Sequence, residues 1–501
     1  MSSLQAPPSV RPRAHPTLRS VVKVHTVADP PDYEQPWQTR GATSFTGSGA
    51  IVATPAGPRI ITNAHVVENQ TYVEVRRYGR SQKVVADVEA AGHDCDLALL
   101  STSDPDFFEG TQPLRLGPLP SLTDRVNVCG YPIGGDRLSV TEGVVSRIEM
   151  FPYAQSQRPL LAIQLDAAIN SGNSGGPVFK GDVMIGIAFQ SLEDAEAIAY
   201  AIPTQVIEHF LRDAASGNPD GFPDLGIKWQ RLESGSHRKY LGLRPKDGGV
   251  LVTRVDYQGS SAGVLKEGDV LLELGGEAVS TDGTVPLRGG GLVDHAYLVA
   301  THLVGETLPA VVWRRGKRKE CSIALTTPQR LVPGPRYDVR PTYYIFGGLL
   351  FVPLTRDFLK SWGGEWWRNA PDELMTLYES GLKSPKRDEV VVLQKVLAHA
   401  VNQGYHDLEN VVVSGVNNRP AKNLPNLIQK VEASRSAYVQ FKLADGRQVV
   451  LDRVAAITRG PSLLRRYSVS YDRSVDLRDE PAVPSSSRRS SHASPNSRRK
   501  R

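Results

Sequence analysis

The sequence contains no long hydrophobic run. Its longest apolar stretch, Tyr343 to Leu354, has about half the length that a membrane-spanning helix requires. A buried strand or pair of strands is the better interpretation, and we expect no transmembrane segment. With 40% hydrophobic and 22% charged residues, the composition is that of an ordinary globular protein. The length of 501 residues predicts two to four domains.

Cysteine is also scarce. Cys95, Cys129 and Cys321 are an odd number of residues, widely spaced and without the rhythm of metal ligands. This pattern argues against a disulfide framework and favours a reducing compartment. Cys95 directly precedes Asp96, and we interpret it as a small buried residue in a strand rather than as a redox group.

Acidic residues are missing from both ends of the chain. The last eighteen residues, from Pro484, hold six basic residues, and residues 1–23 hold four. Because the net charge is +6, the remaining body lies near −4, and its charge does not predict a nucleic-acid surface. The final Arg498-Arg499-Lys500-Arg501 is typical of a nuclear import signal, although a solvated end explains it equally well.

Composition divides the first half of the chain into two parts. Residues 1–17 are rich in Pro, Ser and Arg, lack the apolar core of a secretory signal and are expected to be disordered. Residues 18–216 contain many short β-rich runs separated by Gly, Pro, Asn and Asp, which predicts an all-β barrel or sandwich. Thr204 to Ala214 is the clear helix in this half, with Thr204 as its expected cap.

The second half divides into three parts. Residues 224–327 and 337–459 have mixed α/β patterns, and the latter includes a predicted long helix from Asp388 to Asn402. Residues 460–501 are polar, become rich in Ser and Arg, and are expected to be disordered. A tryptophan cluster in the second mixed stretch is expected to lie in a core or an interface rather than in a ligand cage: Trp362, Trp366 and Trp367.

Three segments of the first half carry the chemistry. Ser174 lies between glycines, which lets the backbone turn sharply so that the amides of Gly172 and Ser174 converge on an oxyanion. His65 ends one apolar strand, and Asp96 begins another. Alone, each has an ordinary alternative: a loop serine, a packed histidine or a turn aspartate. Together they supply the nucleophile, base and orienting carboxylate of a serine hydrolase, in the chain order of chymotrypsin-type enzymes.

At these residues the chain resembles the Deg/HtrA family of PDZ-bearing serine proteases, and among them the plant-type members with a divergent second PDZ domain. The resemblance implies a multidomain fold: an all-β, trypsin-like double β-barrel protease domain over 18–216, followed by two mixed α/β PDZ-type domains. The segments that carry the resemblance are Gly47–Val52, Thr62–Val67, Asp96–Leu100, Asp166–Phe179 and Ala199–Pro203.

The same resemblance implies roles for the site residues. His65 would be the general base, Asp96 the acid that orients it and Ser174 the nucleophile, in the cleft between the two barrels. The backbone amides of Gly172 and Ser174 would form the oxyanion hole. Family members often have Pro where this chain has Ser171, which concerns the rigidity of the loop rather than its chemistry. No cofactor or metal is implied.

Substrate specificity can be argued from the position six residues before the serine. Enzymes of this type that cut after Lys or Arg have an acid there, whereas this chain has Ala168. The expected wall of the S1 pocket is Ala188, Phe189 and Gln190. An uncharged pocket of modest size predicts small or medium aliphatic P1 residues. The alternative is that the loop is rearranged in the free enzyme.

The PDZ-type domains are expected to bind peptides or to assemble the protein. In the first, the backbone amides of Tyr240, Leu241, Gly242 and Leu243 would bind a chain-terminal carboxylate while the peptide adds a β-strand. For the second, which includes Tyr343 to Phe351, we expect assembly or burial of its own groove ahead of peptide capture.

The sequence therefore predicts an ATP-independent serine endopeptidase that removes damaged or specific proteins. We expect a homo-oligomer, a trimer or a multiple of trimers, with no membrane and no nucleic-acid partner for the folded body. The alternatives are a chaperone or PDZ scaffold with minor proteolysis, and an inactive scaffold, which the intact triad disfavours. The predicted compartment is the nucleus or cytosol; the resemblance also admits the chloroplast, against which the short N-terminus argues.

Overall fold

The computed structural model describes residues 16–132, 135–167, 172–191, 198–215, 217, 219–287 and 290–478, apart from the side chains of Pro16, Gln190 and Ser191. The chain forms two compact units. The first comprises Met1–Val339 and Leu354–Val390, and the second comprises Arg340–Pro353 and Val391–Arg501. The segment 354–390 is therefore an insertion that belongs to the first unit, which the sequence patterns did not predict.

The first unit begins with seven strands: β1 Val21–Ala28, β2 Thr43–Thr54, β3 Gly57–Thr62, β4 Gln70–Arg77, β5 Val84–Val85, β6 Asp87–Gly92 and β7 Leu97–Ser101. They form an antiparallel sheet in the order β5-β4-β1-β2-β3-β7-β6. Alternating Val and Ile side chains of these strands are buried on one face and form a separate core. A single 3₁₀ turn, Ala64–Val66, follows β3 and carries the candidate base.

Six further strands follow: β8 Arg125–Gly130, β9 Ser139–Pro152, β10 Pro159–Asp166, β11 Pro177–Lys180, β12 Val183–Ser191 and β13 Ile198–Pro203. They form a closed barrel in the order β10-β13-β12-β11-β8-β9. The helix α1, Thr204–Ala214, has the predicted bounds. Its cap was predicted wrongly, because Pro203 is the N-cap and the Thr204 hydroxyl instead donates to the carbonyl of Gly117 (2.8 Å).

The first α/β domain follows, with strands β14 Ile227–Gln230, β15 Val250–Val255, β16 Val270–Leu274, β17 Glu277–Ala278, β18 Thr284–Pro286, β19 Leu292–Asp294, β20 Thr307–Arg314 and β21 Lys317–Ala324. Its helices are α2 Gly235–Tyr240 and α3 Ala296–Ala300. The main sheet has the order β14-β15-β16-β20-β21, so that β14 lies at an edge.

The inserted segment of the first unit is helical: α4 Arg356–Leu359, α5 Trp366–Asn369 and α6 Asp372–Ser380. Within it, Trp362 contacts Phe358 edge to face, and Trp366 contacts Tyr378 in the same way. Trp367 is exposed. Among the described residues, none of the helices has both the length and the hydropathy needed to cross a bilayer.

The second unit contains β22 Tyr344–Phe346, β23 Leu349–Pro353, β24 Val391–Val396, β25 Val411–Val416, β26 Arg419–Pro420, β27 Tyr438–Leu443 and β28 Gln448–Asp452, with helices α7 Leu424–Glu432 and α8 Arg453–Arg466. The sheet has the order β22-β23-β24-β25-β27-β28. The apolar stretch from Tyr343 is thus a pair of buried strands, as predicted, joined in a hairpin at Gly347 and Gly348.

Two sequence predictions for this unit are wrong. The long helix from Asp388 to Asn402 is instead β24 followed by a short 3₁₀ turn, Ala400–Asn402, because three consecutive valines favour a strand buried on both faces. The chain after residue 460 is not disordered throughout. Helix α8 continues to Arg466, and the Ile345 amide donates to the Asp472 carbonyl (2.6 Å). The basic end and residues 1–15 lie outside the described residues.

Candidate active site

The Asp96 carboxylate makes two hydrogen bonds to His65, the candidate base. Its Oδ2 lies 2.7 Å from Nδ1 of His65, and its Oδ1 accepts the backbone N–H of His65 at 2.9 Å. One carboxylate therefore fixes both the imidazole ring and the backbone of His65. The ring of His65 keeps 23% of its surface exposed, whereas the Asp96 side chain is buried. The exposed side of the imidazole is thus available for a substrate.

The backbone at Asp96 is strained and is held by a neighbour of His65. Asp96 has φ +55°, a left-handed conformation that aspartate tolerates better than most residues. Its carbonyl accepts the side-chain amide of Asn63 at 2.8 Å, and Asn63 is fully buried. Sequence reasoning missed this role of Asn63; its position two residues before His65, at the end of an apolar strand, is the signal that could have indicated it.

The electrostatics of His65 favour the charged imidazole. Burial lowers the pKa of His65, but the charge of Asp96, its hydrogen bond and the charge of Glu68 together outweigh burial, so that the pKa lies above its ordinary value. Asp96 therefore both fixes the tautomer of the neutral ring and stabilises the cation that forms when the ring accepts a proton.

Ser174 lies in a tight turn against the first sheet. Its carbonyl accepts the backbone N–H of Ser48 on β2 at 2.8 Å. An added Cβ at Gly47, the preceding residue, would lie 2.6 Å from Val66 and 3.2 Å from the Ser174 carbonyl. Strand β2 is therefore in contact with the nucleophile turn and with the residue after His65.

Two glycines shape this turn. Gly172 has φ +100° and Gly175 has φ +85°, both in the region that favours glycine. A Cβ at Gly175 would lie 2.0 Å from the Ser48 carbonyl oxygen and 2.4 Å from Thr62 Oγ1. The predicted oxyanion donors are the amides of Gly172 and Ser174, and this conformation is compatible with that role.

Ser48 is a second residue that sequence reasoning did not single out for a role. Its hydroxyl donates to the Gly172 carbonyl and accepts the Tyr131 amide, both at 2.8 Å. Its carbonyl accepts the Thr62 hydroxyl at 2.7 Å. The side chain is fully buried, so these bonds are made in the absence of water. Its position between Gly47 and Gly49, directly before the apolar run Ala50 to Val52, is the signal that marks it.

The predicted S1 residues are described in part. Ala188 and Phe189 are buried on β12, and Ala188 exchanges two backbone hydrogen bonds of 2.9 Å with Gly175 and Gly176. This places Ala188 directly beside the nucleophile turn. Ala168 and the side chain of Gln190 lie outside the described residues, and the aliphatic P1 preference stays a prediction.

The predicted carboxylate loop of the first α/β domain lies away from a groove. Tyr240 is exposed at the end of α2, the Leu241 carbonyl accepts the Trp313 indole N–H, and Leu243 is buried in a small core. The groove of this domain is instead lined by edge strand β14 and helix α3, including Ile227 and Val299.

That groove is narrow. Its volume is about 80 Å³, well below the ~300–1,000 Å³ of typical ligand pockets. Residues 158–160, at the start of β10, line its third side. Arg158 donates to the carbonyls of Phe222 (2.8 Å) and Pro223 (3.0 Å). The protease barrel therefore restricts the edge to which a peptide strand would add.

The edge strand of the second unit is hydrogen-bonded to a later segment of the same chain. Strand β22 pairs with β23 on one side. On its other side, the segment after α8 forms an antiparallel bridge at Tyr344 and Arg473, and the Ser474 amide donates to the Tyr343 carbonyl at 3.0 Å. Strand β22 is therefore hydrogen-bonded on both sides, and a cavity of about 460 Å³ lies beside it at α8. Burial of the groove of this unit stays a prediction.

A buried carboxylate next to an imidazole, a serine in a glycine turn and two β-domains define a trypsin-like serine protease. Two family matches agree with this: a trypsin-like peptidase domain over residues 47–187 and a PDZ domain over residues 332–476. Over 464 residues the chain is 39% identical to "Protease Do-like 2, chloroplastic" of Arabidopsis thaliana, a match that covers 92% of this chain and 75% of that protein. The chain belongs to the Do-like (Deg/HtrA) family of serine endopeptidases.

Two further similarities were found. "Putative protease Do-like 3, mitochondrial" of Arabidopsis thaliana is 38% identical over 464 residues, covering 92% of this chain and 80% of that protein. The solved structure "HtrA-type protease AlgW with decapeptide" matches with 22% identity and a TM-score of 0.47, covering 62% of this chain and 96% of that chain. The names of the relatives give chloroplast or mitochondrion, and the predicted nuclear or cytosolic location has no support from them.

Replacing Gly175 by alanine tests the close approach at the nucleophile turn. Gly175→Ala should lower Tm and abolish peptidase activity, because its Cβ would overlap the Ser48 carbonyl. Gly181→Ala is the matched control: Gly181 also has positive φ (+60°), but its Cβ would meet nothing within 4 Å. We expect the control to lose only about 1 kcal/mol of stability and to keep its activity. Equal effects of the two variants, in thermal unfolding and in peptide hydrolysis, would contradict the steric argument.

Asp96→Asn tests the cause of the raised His65 pKa. The variant removes the charge and keeps the burial that lowers the pKa, so that the pKa of His65 should fall below that of the wild type. Titration of ¹⁵N-histidine-labelled protein by NMR measures it, with His65→Gln to assign the signal. Asp104→Asn, a carboxylate of another loop, is the control and should leave the titration unchanged. A His65 pKa that stays the same in Asp96→Asn would refute the assignment.

Proposed function

We propose that the chain cleaves proteins, without ATP, through a His65-Asp96-Ser174 triad and an acyl-enzyme. The observation that carries this proposal is the pair of hydrogen bonds from the Asp96 carboxylate to the ring and to the backbone amide of His65 (2.7 and 2.9 Å). His65 takes the proton of the Ser174 hydroxyl as Oγ attacks the scissile carbonyl. The imidazolium then protonates the leaving amine, and a water molecule activated by His65 releases the acyl group.

The turn at Ser174 supports oxyanion stabilisation. The positive φ of Gly172 and Gly175 permits the backbone to present the amides of Gly172 and Ser174 to the same point. Loss of one such donor costs on the order of 100- to 1,000-fold in kcat in serine proteases. Ala188 and Phe189 are uncharged and buried, which supports the preference for aliphatic P1 residues.

The two remaining domains would decide which proteins reach the site. We assign peptide capture to the first α/β domain, at the groove between β14 and α3, which has to widen beyond about 80 Å³ to accept a strand. The second unit, whose edge strand β22 is paired with its own chain, is assigned to assembly into trimers or their multiples.

Ser174→Ala tests the proposal directly. The wild type should digest casein, and the variant should lose activity at least about 1,000-fold because only oxyanion and binding effects remain. Ser121→Ala, at an exposed position, is the control and should digest casein normally. If wild type and Ser174→Ala cleave equally, or neither cleaves, the proposal is wrong. Anti-aggregation activity retained by Ser174→Ala would identify a chaperone role in addition, and sedimentation velocity of the same samples gives the oligomer.

For the compartment, we propose the chloroplast, because the relative that is 39% identical over 92% of this chain is named chloroplastic. The mitochondrion is the second candidate, named for a relative that is 38% identical over the same share. Fluorescently tagged full-length chain should co-localise with plastids, and deletion of residues 484–501 should not change its location. Nuclear fluorescence that disappears on this deletion would show that the basic end is an import signal instead.

A further inference from the structure

The linker between the first α/β domain and the second unit lies on the protease domain. It follows β21, and its last two residues before the second unit that make side-chain contacts are Tyr337 and Asp338. Both belong to the first unit, yet they lie 182 to 269 residues away in sequence from the residues to which they hydrogen-bond. Nothing in the proposed chemistry uses them.

Asp338 joins the two loops that carry the base and its carboxylate. Its Oδ1 accepts the backbone N–H of Asn69 at 2.6 Å, and Asn69 lies four residues after His65. Its Oδ2 lies 2.8 Å from Nε2 of His93, three residues before Asp96. One carboxylate therefore bridges the outer ends of the His65 turn and the Asp96 loop.

Tyr337 adds contacts to the same place. Its ring stacks on the imidazole of His93, with centroids 4.3 Å apart and planes 20° from parallel. Its hydroxyl donates to the carbonyl of Gln155 at 2.7 Å, in the turn between β9 and β10. Tyr337 thus connects the Asp96 loop to the closed barrel. The His65 turn, the Asp96 loop and the β9–β10 turn therefore all contact the two linker residues.

The inserted segment 354–390 contacts the linker and the same turn of the barrel. The Arg336 amide donates to the Asp357 carboxylate at 2.6 Å, and the Arg356 guanidinium donates to the same Gln155 carbonyl at 3.0 Å. Arg356 and Asp357 begin α4 and are buried or largely buried. The linker residues are therefore part of a packed layer.

Charge is also concentrated at this contact. The Asn69 side-chain amide donates to Glu68 Oε1 at 3.1 Å. Burial raises the pKa of Glu68 to about 6, opposed by the charges of His93 and Lys360 and reinforced by that of Asp338. Since Glu68 also contributes to the electrostatics of His65, the linker and the base share a common electrostatic environment.

We propose that Asp338 and Tyr337 are positioning residues for the triad, holding the His65 turn and the Asp96 loop in the geometry that catalysis requires. This inference rests on the proposed function. Because Val339 ends the first unit and Arg340 begins the second, Asp338 is also two residues from the second unit along the chain.

The test compares Asp338→Ala with Asp338→Asn in the full chain. A short chromogenic peptide with an aliphatic P1 residue serves as substrate, because it does not need the peptide groove. We expect Asp338→Ala to lower kcat about 10- to 100-fold, since a misplacement of about 1 Å has effects of this size. KM should change less than about two-fold, because the substrate does not touch the linker. Asp338→Asn should lower kcat less than Asp338→Ala does, since its amide oxygen can still accept the Asn69 N–H.

A second readout separates positioning from folding. The rate at which a fluorophosphonate probe labels Ser174 should fall in parallel with kcat in each variant, at temperatures well below each Tm. Tyr337→Phe keeps the ring on His93 and removes only the bond to Gln155, so it provides a milder variant with a smaller loss of kcat. It keeps the inference testable should Asp338→Ala not fold.

Asp104→Ala is the matched control. Asp104 is a carboxylate of the same domain that also accepts a backbone N–H, that of Asp106 at 3.0 Å, but it touches neither loop. Wild-type kcat and labelling rate in Asp338→Ala and Tyr337→Phe would overturn the inference, as would an equal loss in Asp104→Ala. An active Ser174→Ala would instead overturn the proposed triad, so the two failures are distinct.

Discussion

The catalytic geometry depends on the buried contact between Ser48 and the nucleophile turn. Ser48 belongs to the first sheet, and it bonds to the carbonyls of Ser174 and Gly172 in the loop before β11 of the barrel. Buried polar groups have to be paired, because leaving one unpaired costs about 1–3 kcal/mol. The amide and the hydroxyl of Ser48 find these partners only when the two β-domains are correctly aligned. The same bonds therefore align the half that carries His65 and Asp96 with the half that carries Ser174.

Much of the site could be predicted because its information is local. Glycines on both sides of Ser174 predict a turn, and the apolar strand before His65 predicts its place at a strand end. The barrel strands and the helix from Thr204 could be predicted from the spacing of hydrophobic residues and from the length of each hydrophobic run. Two of the wrong predictions share one cause. The helix from Asp388 to Asn402 and the disordered chain after 460 were judged from local composition, whereas burial in the sheet and pairing with β22 decided their structure.

Peptide recognition could not be predicted to the residue for a related reason. The pattern Tyr240-Leu241-Gly242-Leu243 has the glycine of a binding loop, but a loop binds a chain end only if it lies beside a free sheet edge. The structure places this loop at Trp313 on β20, whereas the edge strand is β14. Which strand lies at the edge depends on the order of the sheet. That order is set by contacts between strands far apart in the sequence.

Backbone strain explains why a distant segment matters to the triad. Asn69, Asp96 and Asp338 all have φ near +55°, a conformation that costs on the order of 1 kcal/mol or more and persists only where the surroundings fix it. Two of the three backbones have a known restraint, since Asn63 donates to the Asp96 carbonyl and Asp338 accepts the Asn69 amide. Within the first unit, the Asn69 amide is thus held from outside the protease domain, whereas its carbonyl accepts the amide of Asp29 inside that domain (2.9 Å). Under the proposed roles, His65 lies four residues before a strained backbone that the linker fixes, so that its position is sensitive to Asp338.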